Sequence, residues 1–131
     1  MRLKSNYLFV DTLARLRSAL EAKSFGIFAK IDHQAAAQSV GLEMPPTTVL
    51  IYGDPRRGTP MMLAVPDFAL ELPLRLLVRE GEDGKAYVTF NAATSLEGKQ
   101  GLPPGMAEKL AGVERLIADT LAVGPATERQ N

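Results

Sequence analysis

Two apolar runs of strand length, Leu72 to Glu80 and Lys85 to Asn91, are separated only by Gly81-Glu82-Asp83-Gly84. A link this short, with a glycine at each end, joins an antiparallel pair; parallel strands need a crossover of a dozen residues or more. The hairpin therefore constrains the fold class more than any other feature. It argues against a doubly wound parallel sheet, and the helical stretches in the middle of the chain are too short to serve as that fold's crossovers.

The rest of the pattern fits around the hairpin. Asn6 to Val10 reads as a short strand rich in aromatic and β-branched residues, with Asp11 and Thr12 offering oxygen acceptors to a helix start. Leu13, Leu16 and Leu20 then recur at helical spacing, and Gly26 is expected to close that helix. Ile27, Ala29 and Ile31 alternate with Phe28, Lys30 and Asp32, as in a strand with one buried face. Asp32 is placed to cap a short helix from Gln34 to Val40 that stops at Gly41. After Pro45-Pro46, the β-branched run Thr47 to Tyr52 lacks clean alternation, which predicts a strand inside the sheet. Residues 53–58 read as a loop, with Thr59 capping a short helix from Met61 to Val65, Pro60 in its first turn and Pro66 ending it. Met106, Leu110, Val113, Ile117 and Leu121 form the stripe of a last helix closed by Gly124-Pro125. These elements predict one α+β domain over 1–125, with a flexible polar tail at 126–131. Its expected architecture is two layers, an antiparallel sheet of about five strands with helices on one face.

Composition excludes more chemistry than it offers. The chain has 15 Lys+Arg against 15 Asp+Glu, one His and no Cys. Zero net charge argues against a nucleic-acid partner, whose affinity comes mainly from neutralised phosphates. Without Cys there is no disulfide, iron–sulfur cluster, thiolate zinc site or cysteine nucleophile, and one His excludes any site built on two imidazoles. No apolar run approaches the ~18 residues of a membrane span, and the apolar run after Arg2 and Lys4 is too short for a signal peptide. The expected location is cytoplasmic.

Four segments in order carry a family resemblance. They are Phe28-Ala29-Lys30-Ile31-Asp32-His33-Gln34-Ala35-Ala36-Ala37, Pro45-Pro46-Thr47-Thr48-Val49-Leu50-Ile51-Tyr52-Gly53-Asp54-Pro55, Gly58-Thr59-Pro60-Met61-Met62 and Leu70-Glu71-Leu72-Pro73-Leu74-Arg75. Together, over roughly residues 8 to 95, they resemble the bacterial and archaeal domain-of-unknown-function family numbered 302. The resemblance implies a curved antiparallel sheet in β-α-β4-α order, similar to TATA-box-binding-protein-like folds, and pairing of two copies. It also includes the Asp32-His33 dipeptide. It implies no particular activity.

Two places invite chemistry. Gly53-Asp54-Pro55-Arg56-Arg57-Gly58-Thr59 spaces two glycines as a phosphate-binding loop does, and Arg56 and Arg57 would add bidentate donors. The lysine of such a loop is missing, so nucleotide hydrolysis is not expected. What stays open is a small-anion site at Arg56, Arg57, Gly58 and Thr59, against a plain solvated turn. His33 beside Asp32 could act as a general base, as a ligand contact, or simply as the first residue of a capped helix. No further ligand is nominated for a metal, and no spacing ties Met44, Met61, Met62 or Met106 to His33 as a haem partner. No cofactor is therefore expected. Glu71 and Tyr52 are open between a site and, respectively, a solvated strand end and the core.

The preferred reading is a non-catalytic domain that binds or senses a small, anionic ligand, with His33 a possible contact, and works as a homodimer. The alternatives are a small hydrolase or isomerase using His33 as base with Asp32, and a structural or interaction module.

Overall fold

The computed structural model describes residues 1–122. Five strands form one antiparallel sheet: β1 (Arg2–Lys4), β2 (Gly26–Asp32), β3 (Thr47–Gly53), β4 (Leu74–Glu80) and β5 (Ala86–Phe90), in the spatial order β1-β5-β4-β3-β2. The α-helices are α1 (Phe9–Ala22), α2 (His33–Ser39), α3 (Pro55–Ala64) and α4 (Gly112–Ala122). The architecture is the expected α+β, and the β4–β5 hairpin is antiparallel with Glu80 opposite Ala86. The stop at Gly124-Pro125 and the tail at 126–131 lie outside the described residues.

Burial in β3 alternates strictly although its sequence does not: Thr48, Leu50 and Tyr52 are buried and the residues between them half-buried. The buried face meets Leu76 and Val78 of β4 and Val88 and Phe90 of β5. Leu16 and Leu20 of α1 and Val113, Ile117 and Leu121 of α4 cover it. Such a core, dense and apolar, is the main favourable term in folding. Alternate residues point the other way. Rows of cross-strand neighbours on that second face run Lys4–Tyr87–Arg79–Thr47 and Arg2–Thr89–Leu77–Val49–Ile31, with Arg75 beside Ile51 and Ala29. The second face is thus basic toward β1 and apolar toward β2, where Phe28 is 55% and Ile31 40% exposed. A register shift between Ile27 and Ala29 places Phe28 there.

The first strand departs from the sequence reading. It is Arg2–Lys4, not Asn6 to Val10, and α1 begins at Phe9 with no side-chain cap at Leu8. Asp11 and Thr12 are inside the helix: Asp11 pairs with Arg15 at 3.1 Å, and Thr12 is buried against Ser5. The positive φ after α1 belongs to Ser24, while Gly26 opens β2. Around Asp32 the expectation holds, since its carboxylate accepts the Ala35 amide at 2.9 Å and Gly41 has the positive φ that ends the segment.

A second, smaller core joins Met61, Phe68, Ala93, Leu102, Ala107 and Leu110. The expected last helix is split to serve both cores. Leu110 lies in a 3₁₀ turn (Ala107–Leu110) packed into the second core with Met106 beside it, whereas Val113, Ile117 and Leu121 belong to α4 and the first. Leu74 packs against both cores, at the end of the sheet where β3 stops and β4 begins.

Candidate functional site

The segment 53–59 is neither the open loop nor the Thr59-capped turn that the sequence suggests. Residues 55–64 are helical from Pro55 onward, Asp54 is the cap, and Thr59 and Pro60 lie within α3 rather than at its start. The Asp54 carboxylate accepts the Arg56 amide at 3.0 Å, and the Gly58 amide is spent on the Asp54 carbonyl at 2.9 Å. Asp54 also pairs with both guanidinium groups, at 3.3 Å to Arg56 and 3.7 Å to Arg57. The helix start, which favours an anion, is therefore already occupied by the chain's own carboxylate. Burial of the Asp54 side chain opposes its ionisation, but the Arg56 hydrogen bonds and the two arginine charges outweigh that and hold its pKa below the ordinary value. Gly58 is buried, and a Cβ there would meet Leu72 in ordinary contact at 3.4 Å.

Asp32 and His33 are not near this helix. Gly26 pairs with Gly53 at one end of β2 and Asp32 with Thr48 at the other, about 20 Å apart at strand rise. Asp32 is committed to capping α2, and His33 is exposed at the first position of that helix. His33 and residues 53–59, both offered by the sequence as ligand contacts, thus lie at opposite ends of the β2–β3 pair and cannot form one site. Met61 is core, and no group of three His, Asp or Glu among the described residues could hold a metal.

What the fold assembles instead is a cleft at the Gly53 end of the sheet, on both sides of Leu72-Pro73-Leu74. One chamber, of about 170 Å³, is apolar; Phe25, Phe28, Met62, Leu72, Pro73 and Leu110 line it, with Arg57 and Asp54 at its edge. Arg57 lies 5.8 Å from the centre of the Phe25 ring, which meets Tyr52 edge-on at 5.7 Å. The other chamber, of about 260 Å³, mixes apolar walls with Tyr52, Glu71, Arg75, Asn91 and Glu114. The two share Leu72, Pro73, Leu74 and Leu110.

Tyr52 is the unusual member of the polar chamber. It is 2% exposed; its hydroxyl has no hydrogen-bond partner among the described residues, but it is not sealed in, since no buried side-chain oxygen there lacks a partner. Burial first, and the Glu114 charge second, push its pKa up, so the phenol stays protonated. Glu114 stands in the first turn of α4, where a carboxylate suits the helix dipole. It is half-buried, and one oxygen accepts the Ala93 amide at 2.7 Å. Glu71 accepts from Gln100 at 3.1 Å. The unpartnered phenol and the Glu114 carboxylate both line this chamber, which has room for water or a ligand to complete their hydrogen bonds.

Of these residues the sequence reading singled out Tyr52 and Glu71 and missed Glu114. On α4 it is one glutamate of an amphipathic helix, and no spacing signal links it to Tyr52.

Comparison with known proteins gives a family and a fold. The model of a family described as "Domain of unknown function DUF302" matches residues 1–122. A solved structure titled "Crystal structure of uncharacterized conserved protein DUF302 from Bacillus stearothermophilus" superposes with a TM-score of 0.78 at 21% identity, over 92% of this chain and 94% of that one. Two proteins named "Fluoride-specific ion channel FluC 1", from Brucella suis and Brucella abortus, are each 33% identical over 88 residues, 67% of this chain. Those residues are 35% and 33% of the relatives, so the chain spans about a third of the curated proteins it matches. Among the described residues no helix is long and apolar enough to cross a membrane.

Proposed function

Because the chain belongs to the DUF302 family, whose description names no activity, we propose from its own geometry that it is a non-catalytic binding domain for a small organic ligand held in the two-chambered cleft beside Leu72–Leu74. The observation that carries this reading is Tyr52, a residue only 2% exposed whose hydroxyl has no partner among the described residues and, not being sealed in, opens on the 260 Å³ space it lines. Concave sites with apolar walls and a few fixed polar groups are where small molecules bind. The anion role of Arg56 and Arg57 recedes in this reading, since both already face Asp54. So does the base role of His33, whose neighbour Asp32 is engaged as a cap. The match to a third of proteins named as channels fits a module joined to a larger chain, sensing for it rather than conducting.

The domain works as a homodimer in this proposal, through the apolar half of the second sheet face. A second copy docked over Phe28, Ile31, Val49, Ile51 and Leu77 buries apolar surface. Docking over the other half would oppose Arg2, Lys4, Arg75 and Arg79 to themselves. Light scattering should give twice 14.2 kDa for the parent and the monomer mass for Ile31→Lys; a parent mass of 14.2 kDa at high concentration refutes the dimer.

A thermal-shift screen of small organic molecules tests the cleft. A ligand at 100 times its Kd adds about 2.7 kcal/mol to stability. Leu70 lines the polar chamber and is exposed, so Leu70→Trp should block binding and abolish the shifts, whereas Leu63→Trp, exposed on α3 outside both chambers, should keep them. No shift with any compound, or equal shifts in Leu70→Trp, refutes the reading.

A further inference from the structure

We infer that the polar chamber selects a protonated amine, with Glu114 as its counter-charge and the Tyr52 hydroxyl as its second contact. The inference rests on the ligand-binding reading of the cleft and adds the class of head group. Glu114 forms no ion pair with Lys or Arg among the described residues; its one fixed contact is the Ala93 amide on a single oxygen. The second oxygen remains an acceptor for something else. A half-buried carboxylate is costly unless paired or hydrogen-bonded, and the only cation among the chamber's lining residues is the exposed Arg75, against Glu71 and Glu114. An anionic ligand would add a third negative charge beside two carboxylates. An ammonium group supplies the missing donors to Glu114 and, with one proton to spare, to the phenol oxygen of Tyr52, which its own burial keeps neutral. The apolar walls of Leu72, Leu74, Leu96 and Phe90 suit a hydrocarbon body behind that head.

The test is a matched series in which only the head group changes: cyclohexylamine, cyclohexanol and cyclohexanecarboxylate, titrated into the intact protein at pH 7 and followed by NMR chemical shift. The amine should bind about tenfold or more tighter than the alcohol, the size of one charge-assisted hydrogen bond, and the carboxylate weakest. Glu114→Gln keeps an oxygen for the Ala93 amide and removes the charge, so it should erase the preference for amine over alcohol. Tyr52→Phe should weaken the amine by a smaller factor while leaving the order intact, and it serves as the test if Glu114→Gln fails to fold. Carboxylate or alcohol binding as tightly as the amine overturns the inference while leaving the cleft reading in place. An unchanged amine affinity in Glu114→Gln overturns it too. Failure of all three to bind overturns the inference, and the compound screen with Leu70→Trp then judges the cleft separately.

Discussion

Thr12→Val exchanges one buried side chain for another of the same shape and removes only a hydroxyl. That hydroxyl donates to the Tyr7 carbonyl at 3.1 Å and, its proton so committed, accepts from Ser5 at 2.7 Å. The Ser5 oxygen in turn accepts the Tyr7 amide at 3.0 Å. The Ser5 amide is bonded to Ala86 of β5, so the cluster ties the start of α1 to the sheet. Thr12 is fully buried and Ser5 nearly so, hence water cannot replace what is lost. A stranded buried polar group costs about 1–3 kcal/mol; with the Ser5 proton left idle and one donor to Tyr7 gone, about 2 kcal/mol is expected. For a domain of this size each kcal/mol lowers Tm by roughly 3–6 °C, which puts the variant about 6–12 °C below the parent. Ser5→Ala removes the hydroxyl that accepts the Tyr7 amide and donates to Thr12 and should cost about 1–2 kcal/mol. Because the two side chains share a bond, the double variant should cost less than the sum by about 1 kcal/mol. Thermal and urea melts of the four proteins by circular dichroism decide it. A Thr12→Val protein melting within 2 °C of the parent, or strict additivity, refutes this account of the α1–sheet junction.

Three further outcomes follow from the structure. Val113→Asp or Ile117→Asp places an unpaired carboxylate between α4 and the sheet at a cost of several kcal/mol, a large part of the ~5–15 kcal/mol such domains have; a melt close to the parent's contradicts the placement of α4. Sulfate and phosphate should raise Tm equally in the parent and in Arg56→Ala/Arg57→Ala, because Asp54 already fills the start of α3 and the salts act only by general exclusion; a gain confined to the parent would restore an anion site. The lowered pKa of Asp54 means that its stabilisation is complete above the unfolded-state value near 3.8 and is lost as pH falls through the folded value. The Tm gap between the parent and Asp54→Ala should therefore be widest near neutrality and close at strongly acid pH, and a gap independent of pH contradicts the pairing.

Sequence reading succeeded where local rules coincide with tertiary structure. The β4–β5 hairpin, the Asp32 cap and the buried positions of α4 are each set by residues close together in the chain. It failed where distant residues decide. Arg2–Lys4 becomes a strand only because β5 offers an edge, and Ser5, brought in by that strand, turns Thr12 from an apparent cap into a buried hydrogen-bond centre. Residues 53–58, with Gly, Asp, Pro, two Arg and Gly, read as loop, and Thr59 as the cap of a helix with Pro60 in its first turn. Yet Asp54 with Pro55 is a sound helix start, and Pro60 removes one intrahelical hydrogen bond without ending the helix. The cleft was legible in part. Tyr52 and Glu71 stood out as residues whose burial would matter, but Glu114 comes to Tyr52 only through the packing of α4 on the sheet.

Tyrosine rings offer the most direct view of the central claim, that the cleft at the Gly53 end of the sheet binds a small ligand. The chain has three, and they report on separate places: Tyr7 is buried under Arg15 beside α1, Tyr87 lies on the basic half of the second sheet face, and Tyr52 borders the polar chamber. In protein labelled with ¹³C on the tyrosine rings, titration with a compound that raises Tm should move the Tyr52 signals and leave those of Tyr7 and Tyr87 in place. Signals that move at Tyr87 or Tyr7 while Tyr52 stays still would contradict the account.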